Sequence, residues 1–257
     1  MFRRVNSYNV PLNNEEKRHA KFQGPFKWFI HAMSSAYDTY MIELGVLTQR
    51  QVFRMTDTKL FTDVVRAMEQ GIKTSSPREL DRLYADSDTT YPDNDPRKEV
   101  VDARLDALRA RMDAAIEFIL SLTTIHRGPL MKEEQFYSLL LAVSHFQNPM
   151  DSLSVVGPPG SPRTQAEVEE RLSALAAAAE NAADSGDLDE DDDPGQEAMT
   201  SGDDSTEDSP DFDPPWSVPL SDIRHYARAS GSGTNTVIKR TIRFRFLYDA
   251  LCNTGLR

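Results

Sequence analysis

Residues 184–213 hold fourteen acidic side chains and no Lys or Arg. Like charges this dense repel one another, and the tract has few aromatics and no apolar period with which to build a core. One continuous interior through all 257 residues is therefore not expected. The tract also carries the whole net charge of −12: without it, 27 acids face 29 bases, a formal +2. Both ends are basic. Residues 1–31 hold six bases against two acids, and residues 222–257 seven against two. Charge blocks of this kind are usually solvated and used for interaction.

Several classes are excluded early. No stretch approaches the ~18 consecutive apolar residues of a spanning helix, so no membrane partner is expected. Cys252 is the only cysteine, which excludes a disulfide scaffold and fits a reducing compartment. The N-terminus has no apolar stretch of signal-peptide length, residue 2 is Phe2, where myristoylation needs glycine, and CNTGLR is not a prenylation box. A cytoplasmic or nuclear location is the expectation.

Apolar residues at spacings of three and four predict a series of helices. Over 25–44, Phe26, Phe29, Ile30, Met33, Tyr37, Tyr40, Met41 and Leu44 form one wide stripe, opened by Pro25 and closed by Gly45. The stripe suits core packing or an exposed partner face. A short helix at 49–55 and one at 58–70, stopped by Gly71, follow. Ser76-Pro77-Arg78-Glu79 is a capping box leading a short helix. Residues 85–95 read as a polar loop. The longest helix is expected over 96–125, about 45 Å at 1.5 Å per residue. Its seam of Val101, Leu105, Leu108, Met112, Ala115 or Ile116, Ile119 and Leu122 serves either a bundle or a homodimeric coiled coil. A further helix is expected over 131–147. After the proline-rich break at 155–163, an alanine-rich helix is expected over 165–182 with little to bury.

The segment TVIKRTIRFRFLYDAL is different. Ile242, Phe244 and Phe246 alternate with Thr241, Arg243 and Arg245. Period two with β-branched and aromatic residues predicts a strand over 237–248. Such a strand must pair with a hairpin partner near 222–228, with an edge elsewhere or with another chain. One face is basic and the other aromatic. Lys239, Arg240, Arg243, Phe244, Arg245 and Phe246 are therefore the candidate contacts to a partner or to phosphates.

The fold class expected is mainly α: an irregular bundle of about five or six helices over 20–148, a disordered acidic linker and a short C-terminal β segment. The predicted divisions are a basic arm (1–19), the helical domain (20–148), the break with its alanine-rich helix (149–183), the acidic tract (184–215) and a basic docking segment (216–257).

No motif for chemistry is present. There is no phosphate loop and no GxGxxG after a strand. The five histidines are scattered, Cys252 has no activating neighbour, and the acidic tract lacks EF-hand spacing. No catalytic residue, cofactor, metal or small-molecule substrate is predicted. An active site without a motif would need His31, His126 or His145 beside a carboxylate in a pocket. The acidic tract suits a solubilising linker, a competitor for the basic ends, or a kinase substrate with Ser201 and Ser205 as acceptors. The sequence thus implies a non-enzymatic interaction, scaffold or accessory protein. Its helical domain would self-associate or bind a protein, and its basic tail would dock on an acidic surface. The alternative is a nucleic-acid-associated protein, viral or nuclear, contacting phosphates through basic termini under control of the acidic tract.

Overall fold

The computed structural model describes residues 11–156, 160–185, 218–231 and 235–254. Ten α-helices lie among them: α1 (Asn14–Lys21), α2 (Pro25–Glu43), α3 (Gln49–Phe53), α4 (Thr56–Gln70), α5 (Pro77–Ser87), α6 (Pro96–Ser121), α7 (Glu133–Gln147), α8 (Gln165–Ser185), α9 (Ile223–Ser230) and α10 (Val237–Leu251). The chain is mainly helical, as its periodicity predicts. Among the described residues, no helix is long and apolar enough to cross a membrane.

The helix starts follow local chemistry. Pro25, Pro77 and Pro96 each open a helix, where a missing N–H costs nothing. Asn13, Thr48, Ser76 and Asp95 cap their helices with side-chain oxygens. Gly24, before α2, has no side chain to do this. Asp88, just past α5, does it instead: its carboxylate accepts from the Gly24 N–H at 2.6 Å and the Lys27 N–H at 2.9 Å. A Cβ on Gly24 would overlap the Asp88 carbonyl oxygen, so the close approach requires glycine. Gly71 closes α4 in the left-handed region at φ +82°, as its place in the sequence predicts.

The centre of the molecule is the pair α7 and α10. Every residue from Gln135 to His145 on α7 is buried, and so is every residue from Arg240 to Tyr248 on α10. The two helices lie along each other. α4 and α6 flank α7, α8 and α9 flank α10, and α2 and α5 close over α4. The α6 seam turns inward, with Met112, Ala115, Ile116 and Ile119 all fully buried. One core cluster runs from Phe26 to Cys252 and includes Leu172, Tyr226 and Phe244.

The strand predicted over 237–248 is corrected: these residues are helical. A helix buried on every side has no polar face, so no 3.6-residue period appears in its sequence. The alternation of Arg with Ile and Phe is that of a helix whose arginines are buried too. The β structure sits elsewhere. Ser161–Pro162 pairs antiparallel with Cys252–Asn253, Ser161 opposite Asn253. Three other expectations shift. The basic arm runs into α1, whose buried Arg18 pairs with Glu15 on its own helix and reaches the half-exposed Asp81 of α5 at 2.8 Å. The longest helix ends at Ser121, and Thr123–Ile125 form a 3-10 turn. Residues 222–228 begin a helix, α9, not a hairpin strand. The acidic tract beyond residue 185, with Ser201 and Ser205, lies outside the described residues.

His145 on α7 is 2% exposed. Its Nδ1 accepts from the Met150 N–H at 3.0 Å, while Nε2 has no partner. Phe244 and Tyr248 of α10 lie against its ring. Burial, with help from Arg111, holds its pKa below the ordinary value. The unfolded chain binds a proton near pH 6.5 and the folded chain lower. The stabilisation is therefore complete above that pH and lost as pH falls. Urea midpoints at pH 7.5 and pH 5.5 test this. The wild type should lose more stability between the two than His145→Gln, and an equal loss would refute the neutral, buried imidazole.

Candidate functional site

The structure places the six predicted contact residues in or against the interior. Phe244 and Arg243 are fully buried, Phe246, Arg240 and Arg245 are each 5% exposed, and Lys239 is half-buried. The expected basic and aromatic surface is thus turned inward. It sits on a helix that, like α7, has neighbours on all sides, because burying the aromatic residues of α10 takes the arginines between them along.

Each arginine solves its burial differently. Arg240 forms an ion pair with Asp63 of α4 at 2.7 Å and donates to the Lys73 carbonyl at 3.1 Å and to Asn235 Oδ1 at 3.3 Å. Its guanidinium lies 4.3 Å from the ring centroid of Tyr137. Burial opposes its charge, but Tyr137 and Asp63 more than offset this and raise its pKa. Arg243 donates to the Ala229 carbonyl at 2.6 Å and to Ser138 Oγ at 3.3 Å. It thereby satisfies the C-terminal turn of α9, where a cation also suits the helix dipole. Burial pushes its pKa down to about 10, which leaves it charged at neutral pH. Arg245 has Nε and Nη1 without partners, and burial lowers its pKa as well.

Asp63 and Arg240 border a polar cavity of about 170 Å³ between α4, α7 and α10. Lys59 and Asp63 share a face of α4, one turn apart. Glu133 and Tyr137 share a face of α7 at the same spacing, and Ser75 comes from the α4–α5 connection. Ser75 Oγ, Tyr137 Oη and Arg240 Nε are buried and have no hydrogen-bond partner among the described residues. Burial raises the pKa of Glu133, with Lys59 acting against it. Burial also raises that of Tyr137, so its hydroxyl stays protonated. The sequence names Arg240 but gives no sign of Asp63, Ser75 or Tyr137. The cavity draws on four separate stretches of chain, and only the helix packing joins them.

A second region lies on α2. Its inward stripe buries Phe26, Ile30, Met33 and Met41, whereas Trp28 is 50%, Tyr40 43% and Ile42 38% exposed. Between them Ala32, Ser35, Ala36 and Thr39 face solvent. From Trp28 to Tyr37 there is no Asp, Glu, Lys or Arg. Trp28 borders a cleft of about 250 Å³ with Pro25, Tyr91 and Val101. Lys27 is buried beneath the indole, its Nζ 3.2 Å from the ring centroid, and burial lowers its pKa. His19 and His31 stand at the edges of the same ring.

The histidines of a motif-free active site are placed apart. His31 lies beside Trp28, His126 Nε2 is 3.1 Å from the Ile119 carbonyl, and His145 accepts from Met150. Among the described residues, none of the three is hydrogen-bonded to a carboxylate, and no group of three His, Cys, Asp or Glu is arranged to hold a metal ion. Comparison with protein-family models, curated proteins and solved structures found no match.

The Asp63–Arg240 pair is nearly closed to water, with side chains 7% and 6% exposed. Removing one partner leaves the other charge buried alone. Asp63→Ala should therefore cost about 3–5 kcal/mol in chemical denaturation. The double substitution Asp63→Leu, Arg240→Met should recover most of that loss. A double variant as unstable as Asp63→Ala would show that the pair's charge is not what governs this junction.

Proposed function

We propose that the chain is a non-enzymatic interaction protein whose helical body presents the outer face of α2 to a helix of a protein partner. The observation that carries this reading is the scarcity of charge on that face, which has none from Trp28 to Tyr37. α6 carries ten Asp, Glu, Lys or Arg in 26 residues, whereas α2 carries three in 19, and one of these, Lys27, is buried. In a chain this rich in charge, an exposed helix face with none from Trp28 to Tyr37, and with Asp38 and Glu43 only towards its C-terminal end, is a departure that favours contact with protein over contact with water. Small residues between Trp28 and Tyr40 leave a shallow groove into which side chains of a second helix fit. Trp28, braced from below by Lys27, is the natural anchor.

The second part of the sequence reading, a basic tail docking on acidic surfaces, loses its support once Arg240, Arg243 and Arg245 lie inside. The nucleic-acid alternative loses the same residues. Of the exposed bases of α9, Arg224 is already paired with Asp222 at 2.6 Å.

Site-directed photo-crosslinking tests the docking face. A crosslinker at Ala36 should give discrete adducts, either with a second copy of the chain or with another protein. One at Glu117, exposed on α6, should not. Trp28→Asp should reduce the Ala36 adducts at least fivefold while leaving the helical circular dichroism unchanged. Equal adducts from both positions, or adducts indifferent to Trp28, would overturn the proposal.

A further inference from the structure

The cavity between α4, α7 and α10 takes no part in docking at α2. Its walls carry two opposed chemistries. Tyr137 is 3% and Arg240 5% exposed, and Tyr137 Oη, Arg240 Nε and Ser75 Oγ have no hydrogen-bond partner among the described residues. A buried donor without an acceptor costs about 1–3 kcal/mol. The guanidinium Nε–H can only donate, so whatever satisfies it brings an acceptor oxygen. Three such atoms around one space define an oxyanion end. Nearer the surface, the carboxyl groups of Glu133 and Glu134 begin α7, and among the described residues no ion pair holds either one. They define an acceptor end suited to an ammonium group. Lys59, Glu133 and Glu134 are each partly exposed, so they form the mouth through which an occupant enters.

Size narrows the occupant further. At about 170 Å³ the cavity is well below the roughly 300 Å³ at which pockets begin to accept drug-sized molecules. A nucleotide does not fit. We propose that this cavity binds a small zwitterion, a free α-amino acid, with its carboxylate on Arg240 Nε, Tyr137 Oη and Ser75 Oγ and its ammonium on Glu133 and Glu134. Asp63 then serves as a positioning residue: by occupying the outer edge of the Arg240 guanidinium it leaves Nε turned to the ligand.

Thermal melting of the full chain against each of the twenty free amino acids tests this, with propionate and ethylamine as probes of one end each. At least one amino acid at a concentration of about 100 Kd should raise the melting temperature by roughly 5 °C or more. Neither single-ended probe should do so. Tyr137→Phe removes only the hydroxyl and keeps the ring beneath Arg240, so the fold should persist while affinity for the responding amino acid, measured by calorimetry, falls at least tenfold. Ser75→Ala gives a second, independent loss, and Glu134→Gln should weaken the responding amino acid as well. No response to any amino acid means that the cavity holds water only and overturns the inference. So does a full response to propionate alone, which marks a plain anion site, or unchanged affinity in Tyr137→Phe.

Discussion

The ion pair between Asp63 and Arg240 joins the N-terminal half of the chain to its last helix, and the rest of the packing is arranged around it. α10 runs through the centre with three arginines among its aromatic residues, and a buried guanidinium is costly unless its donors are met, as most of those of Arg240 and Arg243 are. Arg240 and Arg243 lie one turn apart on neighbouring faces. The first reaches α4, and the second reaches the end of α9 and Ser138 of α7. These contacts leave α10 little freedom to rotate about its axis, because any turn would strip one arginine of its partner. The aromatic side chains of α10 then fall where they fill the gaps: Phe244 and Tyr248 against His145 of α7, and Phe246 against Tyr226 of α9.

The legible helices share one property, a boundary written in the chain. Pro25, Gly71, the Ser76-Pro77 pair and Asp95-Pro96 mark starts and stops that the structure keeps. α2 and α6 also keep a solvent side, so their apolar stripes have the expected period. α10 has neither. Its flanks carry no proline, and burial all round erases its polar face, so the Ile-Arg-Phe-Arg-Phe alternation dominates the reading. Length is the signal that distinguishes the two cases. An uninterrupted run of fifteen residues from Val237 to Leu251 is long for a strand, which is usually five or six residues, and ordinary for a helix. The cap at Thr236 points the same way.

The candidate sites were legible to different degrees for similar reasons. The sequence singles out the aromatic residues of α2, but periodicity cannot separate Phe26 and Ile30, which are buried, from Trp28 and Tyr40, which are not. That division depends on where α4 and α5 sit. For the cavity, the sequence singles out Arg240 and gives it the opposite direction, outward to phosphate instead of inward to Asp63. Its neighbours Tyr137 and Ser75 look like ordinary helix and loop residues until packing leaves their hydroxyls without partners.

α4 is the wall that the docking face and the cavity share, and it is tied in three directions. Thr58 meets Ser34 of α2 at 3.1 Å, Thr62 meets Tyr84 of α5 at 3.2 Å, and Asp63 meets Arg240 of α10 at 2.7 Å. Polar ties in different directions, each buried, hold a helix in one seat more firmly than apolar contact alone, since sliding along any of them leaves a buried donor or charge unmet. Coupling between distant sites needs an element with two arrangements of similar energy. α4, fixed to three helices at once, offers a single arrangement. A partner on the outer face of α2 and an occupant behind α4 would therefore act on a common rigid frame and bind independently, each adding its own stabilisation to the same fold.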